Sequence, residues 1–187
     1  MWGVSTMKAL IVIDYTYDFV EGSLPVGQPA IDIQEAMASI IQKYVDQDDF
    51  VVMAVDLHEE NDPYHPETAL FPPHNIRGTK GRELYGDLAD VYNRNQELIY
   101  WMDKSRYSAF CGTELDMKLK ERGITEVHLI GVCTDICVLH TAIDAYNMGY
   151  AITVFEDAVA SFNPQGHDWA LAHFKGTLGA QVIKSPK

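Results

Sequence analysis

The feature that most constrains this chain is an alternation. Apolar runs of strand length are separated by amphipathic stretches of helix length. The runs are 8–14 (KALIVID), 50–56 (FVVMAVD), 98–103 (LIYWMD), 126–132 (EVHLIGV), 151–156 (AITVFE) and 180–183 (AQVI). They are rich in β-branched residues and mostly apolar throughout, the pattern of strands covered on both faces. Helix-like segments lie near 31–47, 113–123, 135–148 and 166–177, with Gly123 and Gly149 where C-caps belong. Such alternation predicts an α/β fold: a parallel sheet of about six strands with helices on both faces. A length of 187 residues suits a single domain, 1–187, without repeats or linkers.

Residues 57–97 break the rhythm. Four of the eight prolines fall between 63 and 73, and apolar runs are few. A long irregular segment inside a compact domain is usually functional. In open α/β sheets, ligands collect beyond the carboxyl ends of the strands. Asp14, Asp56, Asp103–Lys104 and the segment Cys133–Cys137 all end predicted strands, so they are expected to gather on one edge. That convergence outweighs any single residue.

Charge narrows the partners. The net charge of −13 lacks the basic stripe that nucleic acid or an anionic membrane surface requires. No apolar run approaches the roughly 18–20 residues of a membrane span. The start, MWGVSTMKALIVID, lacks the basic and apolar regions of a signal peptide, and three cysteines in an acidic chain fit a reducing compartment. A cytoplasmic protein is expected, with residues 1–6 a dispensable extension ahead of the first strand.

"GVCTDICVLHTAIDAYNMGY", residues 131–150, sets Cys133 and Cys137 four positions apart where strand gives way to helix. The C-x-x-x-C spacing is neither a thioredoxin-like redox motif nor half of a zinc cage. On generic grounds either cysteine could be a small buried apolar residue. With Thr134 or Asp135 as N-cap, however, Cys137 falls in the first helical turn, where the helix dipole is expected to lower its pKa. Cys133 belongs to the turn and would offer its backbone N–H to an oxyanion hole. His140, three residues beyond Cys137, is read as structural. Asp14 as proton acceptor and Lys104 as its cation suit a thiol nucleophile better, although each could equally be a turn residue or a surface charge.

"DLHEENDPYHPETALFPPH", residues 56–74, holds three histidines and several carboxylates. Asp56 and His58 are two apart on a strand end and can point the same way. His65, Glu67 and His74 follow from the proline-stiffened loop. A His/carboxylate set without thiolate suits Zn²⁺, Mn²⁺ or Fe²⁺. "GTKG" at 78–81 lacks the spacing of a phosphate-binding loop.

Together "LIVIDYTYDF", the 56–74 segment, "WMDKSRYSAFCGT" and "GVCTDICVLHTAIDAYNMGY" run nearly the whole chain in family order. On these motifs the sequence resembles the nicotinamidase/pyrazinamidase branch of the isochorismatase-like cysteine hydrolases, in its streptococcal-type bacterial form. The resemblance implies the isochorismatase-like hydrolase fold and a catalytic set of Asp14, Lys104 and Cys137. It implies an oxyanion hole from the N–H groups of Cys133 and Cys137, with a non-proline cis peptide between Val132 and Cys133. It implies metal ligands Asp56, His58, Glu67 and His74 for one divalent ion per subunit, zinc ahead of manganese or iron, within a metal- and substrate-binding region at 57–97. Phe19, Phe71 and Tyr107 match the aromatics that flank the pyridine ring; some relatives carry tryptophan where Phe71 stands.

The activity so implied is hydrolysis of nicotinamide to nicotinate and ammonia in NAD salvage, with pyrazinamide as a further substrate, by a homo-oligomer (dimer or tetramer). The rival readings are an amidase of another small amide on the same fold and a non-catalytic ligand-binding relative.

Overall fold

The computed structural model describes residues 6–186; the expected extension at 1–6 lies, but for Thr6, outside the described residues. The six runs form six strands: β1 (Ala9–Ile13), β2 (Phe50–Asp56), β3 (Ile99–Lys104), β4 (Glu126–Val132), β5 (Ala151–Ala160) and β6 (Gln181–Ile183). All pair in parallel in the order β3-β2-β1-β4-β5-β6. The helices are α1 (Tyr17–Val20), α2 (Gln28–Asp32), α3 (Gln34–Asp46), α4 (Gly86–Arg94), α5 (Leu115–Lys120), α6 (Leu139–Asn147) and α7 (Pro164–Gly176). No helix among the described residues is long and apolar enough to cross a membrane.

Successive residues of a strand face opposite ways, and β1 divides the core accordingly. Ala9, Ile11 and Ile13 pack with residues of α5, α6 and α7; Leu10 and Val12 pack with residues of α2, α3 and α4. All five are buried, so β1 has no solvent face. This is why the strands read as uniformly apolar.

Three expectations need correction. The stretch 31–47 is two helices, α2 and α3, meeting at Ile33. The region 57–97 is not structureless, because α4 buries Leu88 and Val91 against α3. β5 runs four residues past the predicted end: Glu156 and Asp157 interrupt the apolar run but not the strand, which buries Ala158, Val159 and Ala160 beyond them.

The order 3-2-1-4-5-6 has its topological switch point between β1 and β4, where crossovers leave in opposite directions and a crevice opens at the carboxyl ends. Gly131 lies at that join with φ +121°, and a Cβ there would stand 2.0 Å from the Ile13 carbonyl oxygen. Only glycine lets β4 come so close to the chain just before Asp14.

Candidate active site

Asp14 ends β1 with φ 54°, a conformation non-glycine residues seldom adopt and one that clusters at functional sites. Its backbone N–H donates to Ala54 O at 3.0 Å, and its Oδ1 accepts the Asp56 N–H at 2.9 Å. Lys104 at the end of β3 reaches across β2, and its ammonium is fully buried. It contacts Asp14 Oδ2 at 2.8 Å, Asp56 Oδ1 at 2.5 Å and the Arg106 carbonyl at 3.1 Å. The ammonium donates hydrogen bonds to Asp56 and to the Arg106 carbonyl and forms an ion pair with Asp14. Burial opposes that charge, but Asp14 and Asp56 outweigh it and hold the Lys104 pKa well above its ordinary value. Burial and the neighbouring Asp56 push Asp14 up to about 7 against the pull of Lys104. A carboxyl raised in this way can serve as a proton acceptor and donor.

The Cys137 sulfur lies within 4.8 Å of carboxylate oxygens of Asp14 and Asp56. Asp14, Lys104 and Cys137 come together as expected. The local structure around the sulfur differs from the expected helix start. Cys133 is the N-cap residue, and Thr134–Val138 form a single π-helical turn that leads into α6. Thr134 and Asp135 do not cap; their side chains meet His167 and Ser161 instead. The expected lowering of the Cys137 pKa is also overturned. Burial pushes the thiol well above its ordinary value, and Asp14 and Asp56 add to the rise against Lys104. Burial disfavours the charged thiolate. The Val132–Cys133 peptide is cis. His140 is exposed, and its Nδ1 bonds the Ile136 carbonyl, in line with a structural role.

Across Asp56 lies a second cluster. Asp56, His58, Glu67 and His74 are all buried, and each offers a ligand atom within 4.8 Å of the others. Asp56 Oδ2, His58 Nε2 and His74 Nε2 have no hydrogen-bond partner, although buried polar atoms normally do. His74 Nδ1 bonds the Pro72 carbonyl at 2.8 Å, which leaves its Nε2 with a free lone pair facing the cluster. Glu67 is held below the usual carboxylate range: burial opposes this, but His74, His58 and Lys104 prevail. Converging unpaired acceptors of this kind fit a divalent cation. His65 does not join them. Its Nδ1 accepts the Glu67 N–H at 3.2 Å and its Nε2 donates to Ser105 O at 2.7 Å, so both nitrogens are used in seating Glu67. The other acid–thiol group, Asp14, Asp56 and Cys137, already holds the Lys104 ammonium.

Between the clusters lies a narrow cleft lined by Phe19, Leu24, Glu67, Phe71, Tyr107, Cys133, Ile136, Cys137 and Phe162. The three expected aromatics, the nucleophile candidate and one metal-ligand candidate therefore share one cavity. Leu24, Ile136 and Phe162 were not foreseen. Nor was Asn75, buried with φ 47°, whose backbone accepts from His58 N–H at 3.1 Å and donates to Asp18 at 2.8 Å. Its side-chain oxygen accepts the Thr16 hydroxyl at 2.8 Å, which ties the Asp14 turn to the 56–74 loop. An asparagine directly after a loop histidine, tolerant of positive φ, was the signal available.

Comparison with known proteins agrees with this arrangement. The isochorismatase domain model matches residues 8–186. The chain belongs to the isochorismatase family. Among solved family members, nicotinamidase/pyrazinamidase PncA of Bacillus subtilis superposes with a TM-score of 0.93 at 55% identity, covering 95% of this chain and 100% of that one. Pyrazinamidase/nicotinamidase of Streptococcus mutans UA159 gives 0.91 at 54% identity, covering 94% and 99%. Pyrazinamidase of Pyrococcus horikoshii, solved in complex with zinc, gives 0.84 at 30% identity, covering 95% and 99%. The six-stranded sheet and its flanking helices are the fold of these proteins.

Proposed function

We propose that this protein hydrolyses nicotinamide, and also pyrazinamide, to the carboxylate and ammonia through a thioester on Cys137. The observation that carries the reading is the shared cleft: the buried Cys137, set against Asp14 and Lys104, opens into the same aromatic-walled cavity as Glu67 of the cation-fitting quartet. Its near relatives named nicotinamidase/pyrazinamidase support it.

Burial of the Cys137 thiol disfavours its thiolate, so its proton needs an acceptor at hand. Asp14 accepts that proton while the sulfur bonds to the carboxamide carbon. The N–H groups of Cys133 and Cys137 hold the developing oxyanion, each such donor contributing roughly 3–4 kcal/mol. Asp14 then gives the proton to the departing nitrogen, releasing ammonia. Asp14 takes a proton from the water that adds to the thioester and returns it to the Cys137 sulfur as that sulfur leaves, which frees the acid and restores both groups. Lys104 stays charged throughout and fixes the Asp14 carboxylate. Phe19, Phe71 and Tyr107 sandwich the ring.

Asp56, His58, Glu67 and His74 would hold one divalent ion, with zinc foremost given the zinc-bound relative. Bound there, the ion would supply a Lewis-acidic contact for the ring nitrogen. All three cysteines are free thiols, which supports a cytoplasmic setting.

The test is intact-protein mass spectrometry of enzyme quenched during turnover of nicotinamide. A nicotinoyl adduct that disappears in Cys137→Ser supports the mechanism; steady turnover by Cys137→Ala would end it. Benzamide, which lacks the ring nitrogen, should be a poor substrate, and equal turnover would remove the ring-nitrogen contact from the account.

A further inference from the structure

The Asp56–His58–Glu67–His74 quartet borders a second cavity, separate from the aromatic cleft. His58, Glu67 and His74 line it together with Glu59, Asp62 and Thr68. The first three are only 8%, 5% and 2% exposed, whereas the Glu59 side chain is 57% exposed and Thr68 is also at the surface. The cavity therefore has a deep end at the quartet and a mouth at Glu59 and Thr68. Two of the unpartnered buried atoms, His58 Nε2 and His74 Nε2, belong to residues of that deep end. Glu67 and Phe71 line this cavity and the cleft alike, so they stand between the two.

The two approaches suit different visitors. The cleft is walled mostly by apolar and aromatic side chains, among them Phe19, Leu24, Ile136 and Phe162. A hydrated dication would shed water there against carbon, which is costly. On the Asp14 side of Asp56 the buried Lys104 ammonium adds a like charge. The outer cavity offers carboxylates and a hydroxyl instead. Glu59 also holds the Arg77 guanidinium, with contacts at 2.7 and 2.6 Å, and so neutralises a cation beside the mouth. Asp62 is fixed in place: its Oδ1 accepts the Tyr64 N–H at 2.9 Å, and its carbonyl accepts the Thr68 hydroxyl at 2.8 Å. We infer that this cavity is the entry route of the divalent ion and that Glu59 and Asp62 steer the ion into it. The inference rests on the reading of the quartet as a cation site. Metal then exchanges on one side of Glu67 and substrate on the other.

The experiment follows zinc uptake by metal-free protein in a stopped-flow instrument, with a chromogenic chelator as competing indicator, at low and high salt. Glu59→Gln/Asp62→Asn is compared with Asp48→Asn/Glu97→Gln. The second pair removes the same charge from exposed sites just ahead of β2 and β3, at the opposite edge of the sheet. At low salt the mouth variant should take up zinc about tenfold more slowly than wild type, and high salt should shrink that gap. The control variant should match wild type. Equal uptake by wild type and mouth variant at low salt overturns the assignment, as does equal slowing in both variants. A gap that high salt leaves intact also overturns it, because a disturbed loop, unlike a steering charge, is not screened. If wild type takes up no zinc, the reading of the quartet as a cation site fails and takes this inference with it.

Discussion

Asp56 gives one carboxylate oxygen to Lys104 at 2.5 Å and keeps the other buried and unpartnered in the group with His58, Glu67 and His74. A single side chain thus belongs both to the Asp14–Lys104–Cys137 cluster and to the cation-fitting quartet. Asp56→Asn should weaken divalent-metal affinity by at least the roughly 10–100-fold that loss of an outer partner alone costs. Competition with a chromogenic chelator reads this directly. Unchanged stoichiometry and affinity would remove Asp56 from the metal set.

The two cysteines should part company under substitution. Cys137→Ala is expected to lower kcat by about 10³-fold or more, because no other group can form the thioester. Its metal content should stay at the wild-type level. Cys133→Ala should keep most activity, since only its backbone N–H faces the reaction, and should show a modest loss of stability. Comparable loss of activity in both variants would contradict the division of labour.

Gly131→Ala probes the join between β1 and β4. The added Cβ would sit 2.0 Å from a backbone oxygen at φ +121°, so both strain and overlap act. A stability loss of about 3 kcal/mol or more is expected in urea titration, larger than for an ordinary surface change. Asp14 follows the displaced Ile13, so the surviving folded protein should also lose activity. A change within about 0.5 kcal/mol would mean that the strands separate there at little cost.

His128 predicts an acid-side effect far from the 56–74 loop. It is buried on β4 with Tyr44 of α3 on Nδ1, Glu126 at 2.6 Å from Nε2 and Phe155 of β5 against its ring; Lys8 and Asp49 are the other charges around it. Burial outweighs Glu126 and holds its pKa below 6.5. The unfolded chain therefore takes up the proton first as the pH falls. The stability contribution is complete above about pH 6.5 and declines below it, by at most about 1.4 kcal/mol per pH unit. Urea titrations at about pH 7.5 and about pH 5.5 should show a smaller loss on acidification in His128→Gln than in wild type. Equal losses would show that His128 does not titrate on unfolding.

The fold was legible because strands buried on both faces leave continuous apolar runs, and β2 and β4 span the residues expected of them. The convergence of Asp14, Lys104 and Cys137 was legible for the same reason: parallel strands send their last residues to one edge. The local state of the thiol was not. Dipole reasoning sees only the turn, whereas the Cys137 pKa is set by burial among groups distant in sequence. The bond from Lys104 to Asp56 escaped notice because it depends on strand register, with Asp56 opposite Lys104. Phe162 was hidden by Glu156 and Asp157, a polar pair that appears to end a strand which in fact continues to the cleft.

The most direct test of the central claim is ammonia release from nicotinamide by purified protein as isolated, after chelation and after restoring zinc, manganese or iron. The account predicts steady release, loss of most of it on chelation, and recovery with at least one of the three ions. Release that is indifferent to complete metal removal, or no release under any metal, would contradict it.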